Sequence, residues 1–108
     1  IASQYQLLKI QEDVSLNVAN AFLQILSFKE DLKVKKEQLS IDEKRLKRSE
    51  EMVNAGTIPR GDLYDLKATI ATDKQNITVS ENNLLISKLS LAQLLQLKEF
   101  VDFVQSIS

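Results

Sequence analysis

The sequence predicts an all-α protein: one long antiparallel two-helix coiled-coil hairpin. Three observations predict it. Both glycines and the single proline of the 108 residues fall in one short segment, Gly56-Thr57-Ile58-Pro59-Arg60-Gly61. The flanks on either side carry no helix breaker. On both flanks, apolar residues recur every seven positions, the period that keeps one seam of a supercoiled helix against a partner.

The first helix is expected from about Ser3 to Asn54. At ~1.5 Å per residue it would be roughly 75 Å long, well beyond an ordinary globular helix. Its seam carries Val18, Ile25, Leu32, Leu39, Leu46 and Val53. The second helix is expected from about Asp62 to Leu97, with Leu63, Ile70, Ile77, Leu84 and Leu91 on its seam. The second position of each heptad is weaker. Phe22 and Phe28 fill it near the start of the first helix, but Lys35, Asp42 and Ser49 follow. On the returning helix Leu66 and Leu94 fill it, whereas Asp73, Ser80 and Ser87 do not. The seam therefore reads as rich near the two chain ends and thin toward the turn.

In the turn, Gly56 suits the position just after a helix, where glycine adopts the left-handed conformation cheaply. Thr57 is a candidate N-cap for the second helix, and Pro59, which pre-sets its own backbone angle, suits an entry to that helix. Asp62 and Asp65 would complement the positive end of the helix dipole. The segment Lys29–Glu51 is mostly charged and reads as a solvated face, with Asp31–Lys35 and Glu43–Lys47 in the favourable acid-before-base order. Lys74, Gln75, Asn76, Thr78, Ser80, Asn82 and Asn83 are polar with few charges, a composition that suits neighbouring helices or an aqueous channel. Beyond Leu97, residues 98–108 form a tail with an apolar cluster at Phe100, Val101, Phe103 and Val104.

Composition narrows the function. The net charge is −1 with both signs interspersed, so no global field attracts nucleic acid or an anionic membrane. Histidine and cysteine are absent, which removes the usual neutral-pH proton shuttle, every thiolate and any Cys/His zinc site. There is no Gly-rich phosphate loop, nucleophile motif or metal-ligand spacing, so the reading is of a non-enzyme without catalytic residue, metal or cofactor. The Lys36–Arg48 segment is diluted by Glu37, Asp42 and Glu43, too much for a nucleic-acid stripe. No apolar run approaches the ~20 residues of a membrane-spanning helix. The sequence opens on Ile1 and not on Met, which reads as a segment of a longer protein.

Three stretches carry a resemblance. Leu16-Asn17-Val18-Ala19-Asn20-Ala21-Phe22-Leu23-Gln24-Ile25-Leu26 resembles a signature early in the first long helix of TolC-type outer-membrane efflux proteins. Ala55-Gly56-Thr57-Ile58-Pro59-Arg60-Gly61-Asp62-Leu63-Tyr64-Asp65-Leu66 resembles the periplasmic tip of their hairpins. Asn82-Asn83-Leu84 followed by Leu89-Ser90-Leu91-Ala92-Gln93-Leu94-Leu95 is similar to the end of the returning helix. The resemblance spans nearly the whole chain, and residues 16–26 are nearer to the first repeat of that family than to the second.

The resemblance implies a periplasmic tunnel segment of a channel for efflux or type I secretion in a Gram-negative outer membrane. The parent would be a homotrimer with an α-barrel in the periplasm. The other hairpins of the same protein would be neighbours, and an inner-membrane transporter an indirect partner. Ala55, Gly56, Thr57, Ile58, Pro59 and Arg60 would form the tip that contacts a periplasmic adaptor (membrane fusion) protein. Asp62 and Asp65 would be candidates for the pore constriction. Residues 98–108 would lead toward the rest of the parent. Pro59 and Arg60 depart from the best-known tips, and the chain holds one hairpin and no β-barrel strands. The alternatives are a hairpin of a periplasmic adaptor, whose Arg/Leu/Ser tip pattern is not found here, and an unrelated coiled-coil interaction module.

Overall fold

The computed structural model describes residues 2–107; Ile1 and Ser108, the outermost positions of the expected hairpin and tail, lie outside the described residues. Two helices make up the fold, α1 (Ala2–Asn54, 53 residues) and α2 (Gly61–Ile107, 47 residues). Among the described residues there is no strand. Contacts between the helices pair rising numbers on α1 with falling numbers on α2, so the hairpin is antiparallel. Neither helix is long and apolar enough to cross a membrane.

The burial pattern draws the seam residue by residue. On α1 the buried or half-buried positions include Val14, Val18, Ala21, Ile25, Phe28, Leu32, Lys35, Leu39, Asp42, Leu46, Ser49 and Val53, spaced alternately four and three apart. On α2 they include Leu63, Leu66, Ile70, Asp73, Ile77, Ser80, Leu84, Ser87, Leu91, Leu94, Lys98 and Val101. This is the two-position heptad seam of a coiled coil. One expected position differs. Phe22 is 52% exposed, and Ala21 takes the inward slot, because the alternation from Val18 to Ile25 runs three then four.

The second difference is at the C-terminal side. The expectation that α2 ends near Leu97 is not met, since the helix continues to Ile107. Residues 98–107 contain no Gly or Pro, and Val101 and Val104 keep the apolar repeat turned inward, Val101 being 6% exposed. Phe100 and Phe103 face outward.

The chain divides into two compact units, Ile1–Phe28 with Asn83–Ser108 and Lys29–Asn82. The first, called here the terminal unit, buries Val14, Ile25 and Val101. There Gln11 Nε2 donates across to Asp102 Oδ1 at 2.9 Å, and Ser87 Oγ turns back to the carbonyl of Asn83 at 2.9 Å. The second, the turn unit, buries Leu63 and Ile70 alongside two polar residues, Asp42 and Ser80. The polar surface of α2 is partly self-satisfied: Thr69, Thr72 and Thr78 each donate to the carbonyl four residues back.

Candidate functional site

The turn is built around the end of α1. Gly56 has φ of +78°, the left-handed conformation in which a Cβ is strained. Its N–H donates to Val53 O at 2.9 Å, and the Thr57 N–H donates to Met52 O at 2.9 Å. That crossed pair satisfies two of the last free carbonyls of α1, which is a Schellman ending. The Thr57 hydroxyl adds a second bond to Met52 O at 2.9 Å. Thr57 is therefore not the N-cap expected from sequence: it closes the first helix, and both of its donors point backward.

The start of α2 is looser. Asp62 N–H reaches Pro59 O at 3.3 Å and Leu63 N–H reaches Arg60 O at 3.1 Å, short-range turns that lead into the helix at Gly61. Pro59 thus lies just outside the helix, in the bend. Ala55, Gly56, Thr57, Pro59 and Arg60 are exposed, and Ile58 is half-buried. Met52, Ala55, Thr57 and Ile58 line one shallow cleft at this turn together with Arg48 and Glu51. Asp62 and Asp65, both exposed, line another with Arg45, Ser49, Ile58, Leu66 and Thr69. The fold thus places the two candidate pore carboxylates on one face at the turn.

A second constellation lies farther along the turn unit, in the seam. Lys35 Nζ donates to Ser80 Oγ at 2.9 Å and pairs with Asp31 Oδ2 at 3.0 Å, while Ser80 Oγ donates to the same Asp31 oxygen at 2.8 Å. These bonds hold the Asp31 carboxyl below its ordinary range, Lys35 contributing most and Ser80 next. Seven residues up α1 and seven down α2, Asp42 meets Asp73. Asp42 is 1% exposed, accepts from Gln38 Nε2 at 3.2 Å on both oxygens, and has Arg45 Nη1 at 3.5 Å. Its carboxyl is pushed down, first by a hydrogen bond with Asp73 and then by Gln38. Asp73 is pushed up, first by that same bond and then by burial and the Asp42 charge.

The sequence matches no family model, no curated protein and no solved structure.

The seam cluster is what sequence reasoning missed. Lys35, Asp42, Asp73 and Ser80 all registered as failures of the apolar repeat. Their signal was that the failures on the two helices fall in matching slots of one antiparallel register, so that each polar residue meets another. Of the expected surface pairs, Asp31–Lys35 forms; among the described residues Glu43 and Lys47 make no salt bridge. Among the described residues no cluster of three or more acidic or histidine side chains is placed to hold a metal.

Proposed function

We propose that this chain is a tunnel-wall hairpin in the periplasmic part of a TolC-type outer-membrane channel, serving efflux or type I secretion. One observation carries the reading beyond the sequence resemblance. The terminal unit leaves Leu16, Phe22, Leu23, Leu26, Leu85, Ile86, Leu89 and Leu95 exposed outside its seam, each at least 44% open. In the turn unit, the large exposed hydrophobics among the described residues are Val34, Ile41, Met52, Tyr64 and Val79. A hairpin whose seam is already filled and whose outer faces remain this apolar is suited to lateral neighbours. Further hairpins of the same homotrimer supply them. The exposed turn from Ala55 to Arg60 docks to a periplasmic adaptor, and Asp62 and Asp65 approach the pore constriction, where three copies of a carboxylate favour cations.

The test is a photo-crosslinker placed at Thr57 of the parent protein in a Gram-negative cell, with Lys36 as the control position. A crosslink to the adaptor from Thr57 and not from Lys36 is expected. Equal crosslinking from both positions, or none to an adaptor from Thr57, overturns the docking assignment. A parent frame with lipoyl-like strands flanking the hairpin transfers it to the adaptor itself. For the constriction, single-channel recordings of the parent carrying Asp62→Asn and Asp65→Asn should lose cation selectivity, and unchanged selectivity removes both residues from the pore.

A further inference from the structure

The layer formed by Asp42 and Asp73 has chemistry that the tunnel reading does not use. Coiled-coil seams hold apolar side chains at such positions, and two carboxyls facing one another there cannot both ionise without repulsion. Asp42 is almost wholly enclosed, at 1% exposure. Asp73 is half-buried, and its Oδ2 is buried with no hydrogen-bond partner. Among the described residues, the donors that reach the pair come from α1 and bond to Asp42: the Gln38 amide and the Arg45 guanidinium. Among the described groups, α2 supplies no donor to Asp73, since Ser80, one heptad away, is committed to Asp31 and Lys35. The neighbours Glu43 and Lys74 are exposed. The donors present thus favour the charge on Asp42, and Asp73 lacks a donor of the kind a proton would supply.

We propose that Asp42 and Asp73 form a proton-binding site in the hairpin seam: one proton held on Asp73 and shared with Asp42 closes the two helices at this layer, and its loss as pH rises loosens them. The opposed shifts of the two carboxyls, Asp42 downward and Asp73 upward, agree with one proton divided between them. The sign follows from linkage. Asp73 binds its proton more tightly folded than unfolded, so its contribution is full below the ordinary value of 3.8 and is lost as pH rises through the raised folded value. The hairpin becomes a device that tightens when its surroundings acidify. This stands whether or not the chain lines a tunnel.

Thermal melts of the full 108-residue chain at fixed concentration test it, from about pH 4.5 to about pH 7.5. The wild type is expected to lose about 5 °C in Tm over this range relative to Asp73→Asn, whose amide N–H donates at every pH. The comparison between variants cancels the carboxylates remote from the pair. Parallel profiles for the two proteins overturn the site. Carboxyl-carbon NMR of the unmodified chain gives an answer that needs no variant. Asp73 should titrate above, and Asp42 below, the ordinary aspartate range; two ordinary, independent steps refute the shared proton.

Discussion

Ser80 and Asp31 are joined across the hairpin by a 2.8 Å hydrogen bond, although the serine occupies a seam position and the aspartate does not. The same hydroxyl accepts from Lys35, so one small side chain lets a long cation end inside the seam without an unmatched charge. Ser80→Ala removes that link while Lys35 and Asp31 stay paired on α1. The expected loss is about 1 kcal/mol, the net worth of a buried hydrogen bond. Denaturant melts measure it, and a loss under a few tenths would mean the hydroxyl is replaced without cost.

The same layer is expected to specify register at the expense of stability. Replacing Lys35 and Ser80 together by leucine makes the layer apolar, and polar-to-apolar exchange at a seam commonly stabilises. Tm should rise by about 4–8 °C. The register should relax at the same time, because the hydrogen bonds joining Lys35, Ser80 and Asp31 form in one alignment, whereas apolar leucine contacts tolerate several. Disulfide trapping between positions matched in shifted registers reads this directly. A rise in Tm with a single trapped register would show that the polar layer contributes nothing to alignment.

Much of the fold was legible because its signals are local. The breakers Gly56, Pro59 and Gly61 lie together, and a leucine-rich seven-residue repeat admits few other structures. The end of α2 was not legible. The apolar density of Phe100–Val104 suggested a change of element, yet the inward repeat through Val101 continues the helix to Ile107. The misplacement of Phe22 has a related cause: near the N-terminal half so many positions are apolar that the pattern alone does not choose between Ala21 and Phe22. The role of Thr57 depended on backbone geometry, since threonine after a glycine suits either the end of one helix or the start of the next. The Asp42–Asp73 pair was invisible until the helices were set in register, because nothing in either helix alone marks its partner.

The two glycines of the turn make opposite predictions. At both, a Cβ would meet nothing within 4 Å, so space plays no part. Gly56 has positive φ, and Gly56→Ala should cost about 1–2 kcal/mol through backbone strain. Gly61 begins α2 without positive φ, and Gly61→Ala should be neutral or stabilise by up to about 1 kcal/mol. Urea melts of both variants check the pair, and equal effects would contradict the left-handed assignment at Gly56.

Acid should weaken the hairpin through Asp31. Its folded carboxyl is held low, first by Lys35 and then by Ser80, so its contribution is present above the ordinary 3.8 and lost as pH falls through the folded value. Asp73 acts in the opposite direction on the alkaline side. Stability should therefore peak in the mildly acidic range. The Asp31→Asn variant should lose stability at pH values above 3.8 and show a shallower acid limb than wild type in circular-dichroism melts. An unchanged acid limb would remove Asp31 from the account.

The last prediction separates folding from assembly. The terminal unit has a narrow buried seam, and its buried hydrophobic residues among those described are Val14, Ile25 and Val101. Leu23 and Leu89, 62% and 57% exposed, lie outside that seam, so their side chains contribute little to the isolated hairpin. Lateral association would bury them, at about 1.5–3 kcal/mol for each side chain fully removed from water. Helicity and mass should therefore rise with concentration in the unmodified chain, and Leu23→Ser with Leu89→Ser should shift that rise to higher concentration by tenfold or more. Ile41→Ser is the control: it is 52% exposed but lies in the turn unit, where exposed apolar side chains are sparse, and it should leave association unchanged. By contrast Ile25→Ala, in the seam at 6% exposure, should cost about 2–5 kcal/mol in melts at any concentration. Sedimentation velocity paired with circular dichroism over a hundredfold dilution distinguishes the cases. A monodisperse monomer with a concentration-independent melt would mean that the outer apolar faces do not drive self-association.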